Sequence, residues 1–382
     1  MTSHLPESLQ LILPIIAADQ GRSRAQTLLA ILCVDPDYVD QYLGSIDAAL
    51  GANSPGLVGL AQLVADTRKA CSASAPKVHR QHVMSQAILR RFCEQVRNNA
   101  GSELLRWDLR YGSSRLTGPG GVGYIQDFVK IDSAATEGVW RRVENGLPDA
   151  IAWAEAITAV AKNGTNFPES QYVSVMRDAI ALHYVRNPRT LEIHEQSFQA
   201  AHDKNSHLWS SSAWSNEAFR RTYGLEPAGP EGRRLGAEAL VRQIKTRFDE
   251  GAVFRLCVEE LFDKVCDRFR SYGLELNVPA EPDSEFLIGD LPALTVTTGM
   301  ESADVQVGVP LGEARTIVLP FTPRLLISLG PMNAVNVLSR SDVDRINGMQ
   351  VHAAREFVCQ RPGANFSHVL AARPNIPAPK GS

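Results

Sequence analysis

The chain lacks most of the short signatures that announce a chemistry. Its six cysteines, Cys33, Cys71, Cys93, Cys257, Cys266 and Cys359, never form a C-x-x-C pair. That excludes the usual ligand spacing of a structural zinc site. Cys257 and Cys266 fall in a helical pattern, where a buried thiol is the default. There is no Gly-x-Ser-x-Gly elbow and no cysteine in a small-residue turn, so the familiar nucleophile motifs are missing. No apolar run approaches the roughly 18 residues of a membrane span. No cationic start precedes a long apolar stretch, so a signal peptide is not expected. Together these absences predict a reducing, cytoplasmic setting with no membrane partner. Lysine and arginine are absent between Arg270 and Arg315, where Glu275, Glu281, Asp283, Glu285, Asp290, Glu301, Asp304 and Glu313 gather. The stretch 77–115 leans the other way, with Lys77, Arg80, Arg90, Arg91, Arg97, Arg106, Arg110 and Arg115. Two solvated faces explain this, or an acidic and a basic segment that meet each other or a shared ligand. The formal net charge of −3 gives no global pull toward nucleic acid.

What is present reads as an ordinary globular protein. The 382 residues are 44% hydrophobic and 21% charged, enough for two domains or one large domain with an added piece. Residues 5–70 carry four apolar helical runs, and 71–76 are small residues ending in proline, a linker. Residues 104–109 alternate as a strand and 111–114 turn it. The glycine-rich 118–123 lacks the lysine of a phosphate-cradling loop and reads as a mobile loop. Helices are expected at about 133–162, 168–201, 214–223 and 230–272, the last interruptible at Gly251. Near residue 274 the pattern changes to short strands at 274–278, 285–288, 293–297, 316–319 and 325–329. A final helix is expected at 342–358, then a proline-rich tail. The expected class is α+β, mostly helical, with a small, mainly antiparallel sheet in the C-terminal third. The expected domains are a helical extension 1–75, a main domain 76–360 and a flexible tail 361–382.

The most informative stretch is 76–92. His79 and His82 stand three apart, directly before the apolar pattern Ile88, Leu89, Phe92. A polar pair leading into a buried helix puts ionisable rings at the rim of a core. His82 could act as a general base, ligate a metal or hydrogen-bond across the core. Two histidines at this spacing can hold a divalent metal only with a third ligand such as Glu144 or Asp290, and no specific motif supplies one. Arg186 ends a helix before Asn187-Pro188. It could brace helix carbonyls, pair with Glu144 or Asp290, or bind an anion. Asp290 follows the apolar 286–289. It is either a turn cap or a partly desolvated carboxylate at a strand end.

His82, Gln86, Leu89 and Phe92 resemble the opening of a bacterial family known only as domain of unknown function 4238. The later motifs follow in order: the strand 104–109, Val143-Glu144, the 183–188 helix end, the Asp-x-Pro strand 285–292, the strand-turn 318–323 and Arg345-Ile-Asn347. The resemblance covers roughly 78–360. Ser85 stands where the family usually has proline. Read with the residue arguments above, these positions are expected to form a site with His82, Glu144, Arg186 and Asp290 as its catalytic set, and Gln86, His79 and Asn347 around them.

A base, carboxylates and an arginine drawn from distant segments suit hydrolysis of a phosphodiester or another phosphorylated, nucleic-acid-like substrate. Nuclease, defence and toxin roles are among the expectations that follow. The alternative is a non-catalytic ligand-binding or interaction module in which the same cluster is structural and residues 1–75 recognise a protein partner.

Overall fold

The structure is a computed structural model, and it describes residues 78–95, 101–130, 133–209, 216, 219–220, 222–249, 251–297 and 307–371. The expected extension 1–75 and its linker lie outside the described residues, as does 372–382. The described chain forms two compact units. One gathers 78–79, 127–137 and 189–260, the other 80–126, 138–188 and 261–371. The stretch 76–360, expected as one domain, contributes to both.

The first unit is helical. It takes the start of α2 (Ser133–Val160), most of α4 (Pro188–Trp209), α5 (Gly229–Asp249) and the start of α6 (Ala252–Phe269). An aromatic cluster fills it. His194 stacks on Phe248 at 4.9 Å, Phe198 on Phe248 at 3.8 Å, and Phe128 meets Phe254 edge-on at 5.1 Å. α5 and α6 are separated at Gly251, whose φ of +86° is the left-handed region that a side chain resists. That break was legible as an interruption of the 230–272 run.

The second unit is α+β, but it does not contain one small antiparallel sheet. A six-stranded mixed sheet runs in the order β6-β12-β7-β11-β10-β9. Its strands are β6 (Thr165–Asn166), β7 (Gly273–Pro279), β9 (Leu294–Val296), β10 (Thr316–Thr322), β11 (Leu325–Gly330) and β12 (Ala334–Leu338). All its pairs are antiparallel except β7 with β12. The three-residue link 331–333 between β11 and β12 passes over the start of β7. A Cβ on Gly273 would lie 2.2 Å from the Met332 carbonyl carbon, so only glycine fits beneath that link. A five-stranded sheet joins β2 (Glu94–Gln95), β3 (Ser102–Asp108), β13 (Phe357–Gln360) and β8 (Ile288–Gly289), with β4 (Ser113–Thr117) on β3. A separate pair, β1 (Arg80–His82) with β5 (Tyr124–Gln126), completes the set. Strands therefore come from the whole length of the unit, not from its C-terminal third.

Several boundaries differ from expectation. The 168–201 helix is two: α3 (Gln171–Val185) ends before Pro188, and α4 begins there. Proline disfavours the helical region for the residue before it, which breaks the run at Asn187. The final helix α7 spans Arg340–Ala353, not 342–358. Ala354 turns extended, and Phe357–Gln360 becomes β13 between β3 and β8. The stretch 361–371, read as tail, includes helix α8 (Ser367–Ala371), and Phe366 and Val369 are buried against Val351 and Val358. Of the expected 285–288 strand only Ile288 pairs in a sheet, together with Gly289 beyond it. The Leu287 and Gly289 N–H groups donate instead to the side-chain oxygens of Asn347 and Gln350 on α7, at 3.0 Å each. Those amides in turn donate to the Glu285 and Pro292 carbonyls. The segment is extended, but helix side chains take the place of a neighbouring strand. No described helix is long and apolar enough to cross a membrane.

Candidate functional site

The site is built in the second unit on the β1–β5 pair. The register sets His82 opposite Tyr124 and Arg80 opposite Gln126. The chain leaves β1 through Val83 and Met84, whose N–H groups both donate to the Gly123 carbonyl at 2.8 and 3.1 Å. Gly123 has φ +67°, and a Cβ there would strike the Met84 side chain at 2.7 Å. The glycine-rich stretch read as a mobile loop is thus folded onto the His82 segment. Close approach is what Gly121 and Gly123 serve, since a Cβ there would strike Thr117 and Met84 respectively. The short helix α1 (Gln86–Leu89) then begins, and Gln86 Nε2 meets His82 Nε2 at 2.7 Å. The His82 ring also hydrogen-bonds the Gly120 carbonyl. Burial, then the Arg186 and Arg80 guanidiniums, hold its pKa below the ordinary value, against the opposing pull of Glu144. The half-buried ring is neutral at pH 7.

Arg186 sits in the joint between α3 and α4, and its side chain is wholly buried. One nitrogen, Nη2, donates to Glu144 Oε1 at 2.5 Å. The guanidinium lies 5.0 Å from the Trp140 ring centre. Trp140 and Glu144 are four apart on α2, so one helical face presents both the ring and the carboxylate. Arg186 Nε and Nη1 have no hydrogen-bond partner among the described residues, and neither has the buried Ser85 Oγ. Unmade donors of this kind are rare in interiors.

His183 joins the two sides. Its Nε2 accepts from the Ser85 N–H at 3.0 Å and its Nδ1–H donates to the Ala179 carbonyl at 2.8 Å, which fixes a neutral tautomer. Ser85 has φ −62°, the value a proline would impose, but a proline could not supply this N–H. Burial, helped by Arg186, lowers the His183 pKa from 6.5 to about 4. Stability from the neutral ring is therefore whole above pH 6.5 and is lost as pH falls toward 4. The loss amounts to about 3 kcal/mol over that window. Urea unfolding between pH 7 and 4.5 reads the slope, and His183→Gln is expected to flatten it. An unchanged slope in that variant would remove His183 from this role.

The remaining expected residues lie elsewhere by their contacts. Asp290 does not bond to His82, Glu144 or Arg186. Its oxygens accept the Arg355 and Glu356 N–H groups at 2.9 and 2.7 Å, capping the turn that leads from α7 into β13. Burial, outweighing those backbone bonds, raises its pKa. Of the two readings the sequence left open for Asp290, these bonds are those of the turn cap. Asn347 holds the 285–287 backbone, as described. His79 Nδ1 meets Asp127 Oδ1 at 2.9 Å on an exposed surface, so the two imidazoles do not share a ligand. Among the described residues no group of three or more His, Cys, Asp or Glu side chains converges as a metal site would require. Sequence reasoning missed Trp140, His183, Ser85, Arg80 and Tyr124. The first two could have been found, since Trp140 precedes Glu144 by one helical turn and His183 precedes Arg186 by nearly one.

No curated protein and no solved structure matches the chain significantly. The motif order from His82 to Asn347 nevertheless has a counterpart in a family model described as "Protein of unknown function (DUF4238)". That model matches residues 80–364, most of the chain, and the protein belongs to this family.

Proposed function

We propose that the His82–Glu144–Arg186 cluster takes the phosphoryl group of an anionic substrate and that the protein is a hydrolase of phosphodiesters or related phosphorylated compounds. The observation that carries this reading is the buried Arg186, with two unpartnered guanidinium nitrogens, Nε and Nη1, beside a neutral, half-buried imidazole. Guanidinium N–H groups in a water-poor setting bind phosphoryl oxygens and stabilise the charge that develops there. Glu144 holds the guanidinium in place. His82 accepts the proton of the attacking water when the Gln86 amide gives up Nε2, and passes it on to the leaving oxygen. Asp290 has no part in this scheme.

Purified protein, with and without divalent metal ions, is to be incubated with chromogenic phosphodiesters, DNA and RNA. Turnover is expected, and His82→Asn is expected to lower it by about 10²–10⁴-fold. No hydrolysis across that panel, or a His82→Asn protein as active as the parent, would sink the proposal.

One observation favours a second reading. Arg186 is fully enclosed and packs against Trp140, as a purely structural ion pair would. In that case the cluster ties α2 to the α3–α4 joint and the protein is a binding module.

A further inference from the structure

Arg80 and Tyr124 form a feature that the phosphoryl chemistry leaves unused. The Arg80 Cζ lies over the Tyr124 ring, 3.7 Å from its centre. Its Nη2 is pinned to the Gly120 carbonyl at 2.6 Å. Arg80 is exposed, and Tyr124 keeps 38% of its surface exposed. Next to them the His82 ring meets Tyr124 edge-on, with centres 6.2 Å apart. Holding a long cationic side chain over an exposed ring costs rotamer freedom. Here the cost is met by a backbone that is already set: the β1–β5 pair fixes both Cα positions, and the Gly120 carbonyl anchors the guanidinium. The result is a fixed stack beside His82, an exposed guanidinium lying over one face of a partly exposed ring.

We propose that this pair is a base-stacking platform and that the ligand of the site is a nucleotide unit, its base on Arg80 and Tyr124 and its phosphate directed toward His82 and Arg186. The inference rests on the phosphoryl reading of His82 and Arg186 and adds the substrate class to it. A planar cation on an aromatic ring is matched by a nucleobase, which offers a π-face of its own, and not by a sugar phosphate or a lipid headgroup. Such stacking tolerates any base, so binding should be general in sequence. Exposed Arg90 and Arg115 in the same unit add positive charge that favours a polyanion.

The test uses the full chain and three probes: a short fluorescent single strand, an abasic strand of equal length, and a mononucleotide competitor. Anisotropy titrations at low salt are expected to show the base-bearing strand binding about tenfold or more tighter than the abasic one. Tyr124→Ala and Arg80→Ala should each bring the base-bearing strand down to the abasic level, while Tyr124→Trp retains the preference. Circular dichroism melts of the variants check that they are folded. A mononucleotide that competes as well as the strand assigns the site to free nucleotides, and a strand that wins by a wide margin assigns it to nucleic acid. Either outcome supports the platform. Equal affinity for the two strands, or full preference in folded Tyr124→Ala, overturns it. If small phosphodiesters are still turned over in a His82-dependent way, the phosphoryl site survives that failure. If neither phosphodiesters nor strands engage the protein, both readings fall together.

Discussion

Arg186→Ala is expected to destabilise the second unit by about 3–5 kcal/mol, the range found when one partner of a buried ion pair is removed. The side chain is enclosed, so its loss leaves a cavity against Trp140 and His183's helix as well as an unpaired Glu144. Glu144 keeps 27% of its side-chain surface exposed, and solvent will recover part of its charge, which places the effect toward the lower end. Arg186→Met is the informative companion. It refills the space and so recovers the cavity part of the loss, while Glu144 stays unpaired as it does in the alanine variant. Urea unfolding should therefore separate the two variants by a few kcal/mol. Arg186→Met that folds well and loses all phosphodiester turnover supports a ligand-binding guanidinium. Arg186→Met that keeps full activity would make the arginine a structural group only.

Asp290→Ala is expected to cost about 2–4 kcal/mol and to spare activity. The carboxylate accepts two backbone N–H groups at the entrance to β13, and each such charge-assisted bond contributes roughly 1.5–3 kcal/mol. Burial works against the ionised form, as the raised pKa indicates, so the sum of the two bonds is an upper bound. Because its folded pKa is raised, the stabilising balance of Asp290 weakens as pH rises through that value. Asp290→Asn keeps one acceptor and sheds the buried charge, and it should cost less than alanine when both are measured at neutral pH. Loss of turnover in a stably folded Asp290→Asn protein would restore this residue to the reacting site.

The parts of the fold that depend on local rules were legible in the sequence. Gly251 parts α5 from α6, and the strand read at 104–109 is largely β3, although the turn read at 111–114 runs into β4 and Pro188 splits the run read as one helix, 168–201. His82, Gln86, Glu144 and Arg186 were singled out, and the structure links them in two bonded pairs with the Arg186 and Glu144 charges acting on His82. What failed was anything decided by a distant partner. The apolar 285–288 has strand composition, but its hydrogen bonds go to Asn347 and Gln350, about 60 residues away. Phe357 and Val358 were read as the end of the last helix, yet β3 and β8 recruit Phe357–Gln360 into a sheet. Asp290 carried two readings, and its choice of the Arg355 and Glu356 amides depends on where α7 ends. Arg80 and Tyr124 are 44 positions apart in sequence, and only the β1–β5 register brings them together.

The link 331–333 that crosses Gly273 has a kinetic consequence. β11 and β12 are consecutive, three residues apart, and in most chains such strands would zip into a hairpin within microseconds. Here β7 must lie between them, and its contact with β11 joins residues as distant as Glu275 and Ser328, 53 positions apart. The local hairpin is therefore a fast competitor to the native arrangement, and the native arrangement waits on a slow, long-range closure. Refolding of this protein should pass through a trapped population in which β11 and β12 have paired with each other, and escape from it requires that pairing to open before β7 can enter.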